Sequence, residues 1–209
     1  PLVQEMRQLS LFDPVPDEHD VAGVEQEPDS LEAVAAEVAQ CTRCRLCAGR
    51  TNTVPGEGSP HARIMWIGEG PGADEDRLGR PFVGRAGQLL TRIIRSMGLT
   101  REEVFIGNVV KCRPPGNRTP LPDEVGTCLP YLERQIALIQ PKIIVLLGAS
   151  ALHALIDPSA SITRMRGTWL TRNGIMVMPT FHPAALLRDP GKNRLVWEDM
   201  KKVMLEMES

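Results

Sequence analysis

No apolar run in this chain of 209 residues is long enough to cross a bilayer, and its N-terminus has no basic region leading into an apolar stretch. Both absences argue against membrane insertion and export. There is no GxGxxG with a ribose-binding acid downstream and no GxxxxGK(S/T), so a nucleotide, nicotinamide or flavin site has no support. No internal repeat is apparent. Five cysteines in a chain without an export signal argue against a disulfide framework and for a metal or redox role, and the odd count leaves at least one without a ligand partner.

What is present suits one substantial core: 42% of residues are hydrophobic and 24% charged. The net charge of −2 hides an asymmetry, because residues 1–40 hold ten acids against Arg7 alone while the rest holds 23 bases against 16 acids. A mildly basic, arginine-rich body is compatible with a polyanionic partner, and equally with a solvated basic face. Residues 1–30 read as a flexible acidic tail, and residues 31–209 as one domain.

Asp29 with Glu32 fits a capping box, followed at helical spacing by Leu31, Val34, Ala35 and Val38. Apolar strand candidates then lie at 64–67, 104–110, 143–147 and 175–180. Helical patterns fill 85–97, 123–139, 149–156 and 193–207. Strands alternating with helices predict right-handed crossovers and an α/β fold: a three-layer α/β/α sandwich around a central, mainly parallel four-stranded sheet.

Cys41 and Cys44 form a CxxC pair before the first strand, and Cys112 and Cys128 bracket the loop after the second. Four thiolates that converge suit either tetrahedral zinc or an iron–sulfur cluster, and spacing alone does not choose between them. Cys47 could replace Cys44 or be spare. Between the second pair, Pro114, Pro115, Gly116, Asn117 and Arg118 make a stiff cationic loop, so a metal there would shape a binding surface rather than carry the chemistry.

Three strand ends should meet at the carboxyl edge of the sheet: the acidic, glycine-rich loop after 64–67, Asn108, and Phe181-His182-Pro183. With Phe82, Glu69 and Glu75 they would form a small pocket able to read a planar ring. An amide can donate to and accept from its edge, an aromatic face can stack on it, and an imidazole can hydrogen-bond to a leaving-group oxygen. Each residue alone has a plain structural alternative; three strand ends together favour the pocket.

The segments Gly68-Glu69-Gly70-Pro71-Gly72 through Glu75-Asp76, Gly79-Arg80-Pro81-Phe82-Val83-Gly84, Asn108-x2-Lys111-Cys112-Arg113-Pro114-Pro115 and His182-Pro183-Ala184-Ala185-Leu186-Leu187-Arg188 together resemble the family 4 uracil-DNA glycosylases. The resemblance runs from about Cys41 to the C-terminus. It implies a bacterial or archaeal enzyme with a [4Fe–4S] cluster on Cys41, Cys44, Cys112 and Cys128, which flips uracil out of DNA and hydrolyses its N-glycosidic bond. Position by position, it implies that Phe82 stacks on the uracil and that Asn108 pairs with its O4/N3 edge. The Gly70 backbone would touch the base, and Glu75 would border C5. His182 would donate to O2 of the departing base, with Glu69 nearest the sugar. Leu186 would fill the vacated stack, and Arg188, Arg113 and Arg118 would face the DNA backbone. A related branch traps DNA covalently through a histidine in a basic loop near the cluster; residues 111–120 here contain none.

In the tail, Gln8-Leu9-Ser10-Leu11-Phe12 resembles the pentapeptide by which bacterial repair and replication proteins dock on the β sliding clamp; the alternative is a stretch packed on its own domain. Together these features predict a cytoplasmic, nucleoid-associated monomer whose partner is uracil-containing DNA.

Overall fold

The computed structural model describes residues 29–208, so the clamp-like segment 8–12 and most of the acidic tail lie outside the described residues. In chain order the elements are α1 (Leu31–Gln40), β1 (Glu57–Gly58), β2 (Ile64–Gly68), α2 (Ala73–Leu78), α3 (Arg85–Ser96), β3 (Phe105–Asn108), α4 (Pro122–Ile139), β4 (Ile143–Leu147), α5 (Ala149–Leu155), α6 (Ile162–Met165), β5 (Leu170–Arg172), β6 (Ile175–Thr180), α7 (Pro183–Arg188) and α8 (Asn193–Glu208). Among the described residues no helix is long and apolar enough to cross a membrane.

The sheet has six strands in the order β1-β3-β2-β4-β6-β5, not the four expected. The four expected strands are the parallel centre; β1 and β5 add short antiparallel margins of two and three residues. Segments that short carry no readable alternation. Strands β2, β3 and β4 are buried along their whole length and β6 over its last four residues, because helices cover both faces. Ile64 and Trp66 point to one side, into a core with Leu90 and Ile94 of α3 and Val196, Met200 and Val203 of α8. Met65 and Ile67 point to the other, against Val34 and Val38 of α1, Leu132 and Ile136 of α4 and Leu152 of α5. The period-two alternation of a strand thus feeds two separate hydrophobic cores and makes the three layers.

Two local expectations change. Helix α1 is capped by Ser30, whose Oγ accepts the Ala33 N–H at 3.0 Å; Asp29 instead pairs with Arg134 at 2.7 Å. Strand β3 ends at Asn108, because the N–H groups of Val109 and Val110 turn away to the carbonyls of Gly68 and Glu69 at 2.9 and 3.1 Å. That turn ties the two loops leaving β2 and β3 together.

Candidate active site at the carboxyl edge of the sheet

Strand β2 has β3 on one side and β4 on the other, so the crossovers leave in opposite directions there and open a crevice at the carboxyl edge. A cleft of about 680 Å³ occupies it. Glu69, Gly70, Glu75, Phe82, Asn108 and His182, the six residues expected to read and release a base, all line this cleft. The sequence reading missed the contribution of the fourth central strand. Gly148 and Ser150, which follow β4, also line the cleft. The strand 143–147 was legible, and the rule that ligands sit at the carboxyl ends of parallel strands would have pointed to the residues after it.

Asn108 is 1% exposed, and its Oδ1 is a buried acceptor with no protein partner. Such an atom costs about 1–3 kcal/mol unless something else supplies the hydrogen bond. The approach is tight: a Cβ on Gly68 would lie 2.5 Å from both Asn108 Oδ1 and Phe82 Cζ, and one on Gly70 would lie 2.7 Å from Val110 Cγ2. Glycine at both positions lets the loop backbone come down to the floor of the cleft.

The Phe82 ring faces His182, with centroids 5.6 Å apart and planes tilted by 33°. Its backbone is left-handed, with φ of 52°, a conformation that costs a bulky residue roughly 1–3 kcal/mol and persists only when surroundings enforce it. Glu75 is one enforcer. Its Oε1 accepts the N–H groups of Val83 and Gly84, each at 2.9 Å, and its Oε2 accepts that of Gly72 at 3.1 Å. Glu75 therefore fastens the loop as well as lining the cleft.

His182 caps α7: its Nδ1 accepts the Ala184 N–H at 3.1 Å. A neutral ring bonded in this way carries its proton on Nε2. The ring is also held neutral, because burial, reinforced by nearby Arg188, pushes it down to about 4 against a smaller opposing pull from Glu75. The hydroxyl of Ser150 donates a short hydrogen bond to the Glu69 carboxylate and orients it.

Two of the expected DNA contacts stand differently from the sequence reading. Leu186 is 3% exposed and packs in the α3/α8 core, so it is not free to enter a DNA stack; Leu187, 38% exposed, is the one that points outward. The helical turn of α7 places consecutive residues about 100° apart, and the spacing from His182 alone could not say which leucine faces the core. Arg118 lines the cleft, but its guanidinium is engaged by buried Glu124 through two hydrogen bonds of 2.8 and 2.7 Å. Arg113 donates from Nε to Asn117 Oδ1 at 2.7 Å. Arg188 is exposed at the cleft wall.

All five cysteines line a second, smaller pocket, together with Arg50, Lys111 and Tyr131. Arg50 donates to Cys112 Sγ at 3.2 Å and the Lys111 backbone N–H donates to Cys128 Sγ at 3.2 Å. Among the described residues no three side chains are already gathered at metal-holding spacing, so the nest is a converging donor set rather than a closed cage. Soft thiolates backed by N–H donors fit an iron–sulfur cluster or zinc. Lys111 joins the two pockets: its fully buried Nζ donates to the Asn108 carbonyl at 2.9 Å and to Gln135 Oε1 at 2.6 Å.

The chain as a whole is similar to known proteins. The profile of the uracil DNA glycosylase superfamily matches residues 55–201. The type-4 uracil-DNA glycosylase of Sulfurisphaera tokodaii is 50% identical over 184 residues, covering 84% of each chain. That of Thermotoga maritima is 51% identical over 178 residues, covering 82% of this chain and 92% of its own, and that of Saccharolobus solfataricus is 49% identical over 184 residues, covering 84% and 85%. The chain belongs to the type-4 uracil-DNA glycosylases.

Proposed function

We propose that this type-4 enzyme hydrolyses the N-glycosidic bond of deoxyuridine in DNA, releasing uracil and leaving an abasic site. The observation that carries the reading is the buried Asn108 Oδ1 without a partner at the floor of the cleft. Uracil presents a donor at N3 and an acceptor at O4, which satisfy the amide's oxygen and NH₂ together. Cytosine presents the reverse pattern and would leave both groups unpaired.

The base reaches this floor only by leaving the stack. Phe82 then covers one ring face, the Gly70 backbone lies against the base, and Glu75 borders C5, where a thymine methyl would be crowded. As the bond to the sugar breaks, charge builds on O2. His182, neutral and protonated at Nε2, donates to that oxygen without first having to lose a proton. Glu69, oriented by Ser150, faces the sugar side, where it holds the attacking water or stabilises the cationic centre. Exposed Leu187 fills the vacated stack, a role the sequence had suggested for Leu186, and Arg188 meets a phosphate. Arg113 retains free guanidinium donors for the DNA backbone; Arg118 supports the same loop through Glu124.

Cys41, Cys44, Cys112 and Cys128 hold a [4Fe–4S] cluster in this reading, with Cys47 as a neighbour of the ligands. These cysteines would hold the cluster as a structural group, outside the bond cleavage itself, and Cys112 would thereby tie down the start of the loop that carries Arg113 and Arg118. Visible absorbance of the pure protein separates iron–sulfur from zinc. The protein acts as a cytoplasmic, nucleoid-associated monomer, and segment 8–12 docks it on the β sliding clamp. Leu11→Ala with Phe12→Ala should abolish clamp pull-down; unchanged binding would overturn the docking.

Oligonucleotides containing U:G, U:A or single-stranded uracil, scored for abasic product, test the reaction directly. Binding without product would overturn it in favour of a noncatalytic damage binder. A denaturation-resistant adduct would favour a covalent trap, although residues 111–120 offer no histidine for one.

A further inference from the structure

The structure assigns Arg101 as the positioning residue for the Phe82 ring, a role that rests on the reading of Phe82 as the face that stacks on the base. Arg101 precedes β3, lies outside the cleft lining and has a side chain only 15% exposed. All five of its N–H donors are used. Nε donates to Glu57 at 3.1 Å, and Nη2 donates to Glu57 in a short contact and to the Pro81 carbonyl at 2.7 Å. Nη1 donates to the Phe82 carbonyl at 3.1 Å and to Thr91 Oγ1 at 3.2 Å.

The two carbonyls are the informative partners. They belong to the peptide planes on either side of the Phe82 Cα, and the rotation between those planes is the residue's φ and ψ. Arg101 holds both planes, and Glu75 holds the second one again through the Val83 N–H. This explains how a phenylalanine keeps a positive φ. Helix α3 closes the other side: a Cβ on Gly87 would lie 1.9 Å from the Phe82 carbonyl carbon. Glu57 anchors the far end of the clamp from β1, where Arg80 also binds it at 2.8 Å. The short margin strand thus reaches the cleft through one guanidinium. A lysine would keep the charge but could not span the two carbonyls and the carboxylate at once.

The test compares Arg101→Lys, Arg101→Ala, Phe82→Ala and the Arg101→Ala/Phe82→Ala pair. Each is measured by single-turnover uracil release and by affinity for DNA carrying a cleavage-resistant 2′-fluorinated deoxyuridine. Losing the clamp should slow release and weaken uracil-dependent affinity by about tenfold, while affinity for uracil-free DNA changes by less than about twofold. The pair should be no worse than Phe82→Ala alone. Millimolar guanidinium should restore Arg101→Ala but not the pair. Wild-type release and affinity in Arg101→Lys and Arg101→Ala, or full additivity with Phe82→Ala, would overturn the assignment. If Phe82→Ala itself changes neither quantity, the stacking reading fails instead. Should Arg101→Ala not fold, Arg101→Lys alone and paired with Phe82→Ala decides by the same measures.

Discussion

The base cleft and the cysteine nest leave the same turn after β3, yet they treat polar groups in opposite ways. In the cleft, Asn108 Oδ1 stays unpaired and Phe82 holds a strained backbone. In the nest, Cys112 and Cys128 already receive N–H donors from Arg50 and Lys111. A site that takes up and releases a ligand at every turnover must keep its hydrogen-bonding capacity open until the ligand arrives. A site that holds a resident group can have its surroundings settled in advance. Lys111 serves both, through its side chain on one side and its backbone on the other.

The sharpest way to break this contrast is His182→Ala. Losing a preorganised donor to a developing oxyanion costs about 3 kcal/mol of barrier, so uracil release should slow by roughly a hundredfold or more while DNA binding persists. An unchanged single-turnover rate would remove His182 from the reaction. The wild-type imidazole adds a pH signature. Its value of about 4 lies below the ordinary 6.5, so the reactive neutral form persists, and the His182 limb of the rate profile should stay flat through pH 6 and fall only as pH approaches 4. The stability linkage has the same origin: the unfolded chain takes up the proton first, so this residue's contribution is complete above about pH 6.5 and is lost progressively down to about pH 4.

Asn108→Asp should come next, slowing release and weakening competition by free uracil about ten- to a hundredfold, because an acceptor replaces the donor facing O4. Equal competition by uracil against both proteins would mean that the amide does not read the base. Cys128→Ser tests the settled half of the contrast. It should lower the melting temperature by roughly 5–10 °C and bleach any cluster absorbance, yet change release per folded molecule by less than about fivefold. A larger kinetic than thermal effect would show that the nest takes part in the reaction. Smallest of all, Leu187→Ala should slow release from duplex DNA about threefold to tenfold and leave the melting temperature unchanged. Leu186→Ala should instead destabilise the fold by about 2–5 kcal/mol through the cavity it leaves. The opposite pattern would restore Leu186 as the wedge.

Much of this was legible along the chain. The runs at 64–67, 143–147 and 175–180 announced the central strands, and three of the four central strand ends announced the cleft. What escaped had a common cause. Strands β1 and β5 span only two and three residues, too few for a repeating alternation to show, and Gly148 and Ser150 belong to no motif that marks a binding loop. The Asp29–Glu32 cap looked sound locally, but Arg134, more than a hundred residues away, claims Asp29.

The sequence by itself determined the layers, the order of the central elements and the residue types gathered at the carboxyl edge, because side-chain period and strand–helix alternation are local properties. Only the tertiary structure decided how those residues are used. It turned Leu186 inward and Leu187 outward, gave the Arg118 guanidinium to Glu124, fixed the His182 proton on Nε2 and left Asn108 Oδ1 without a partner. Each of these depends on burial and packing within the folded neighbourhood; even the contacts that are short in sequence, Arg118 to Glu124 and Ala184 to His182, are only one of several partners those groups could take, and the order of residues alone does not choose among them.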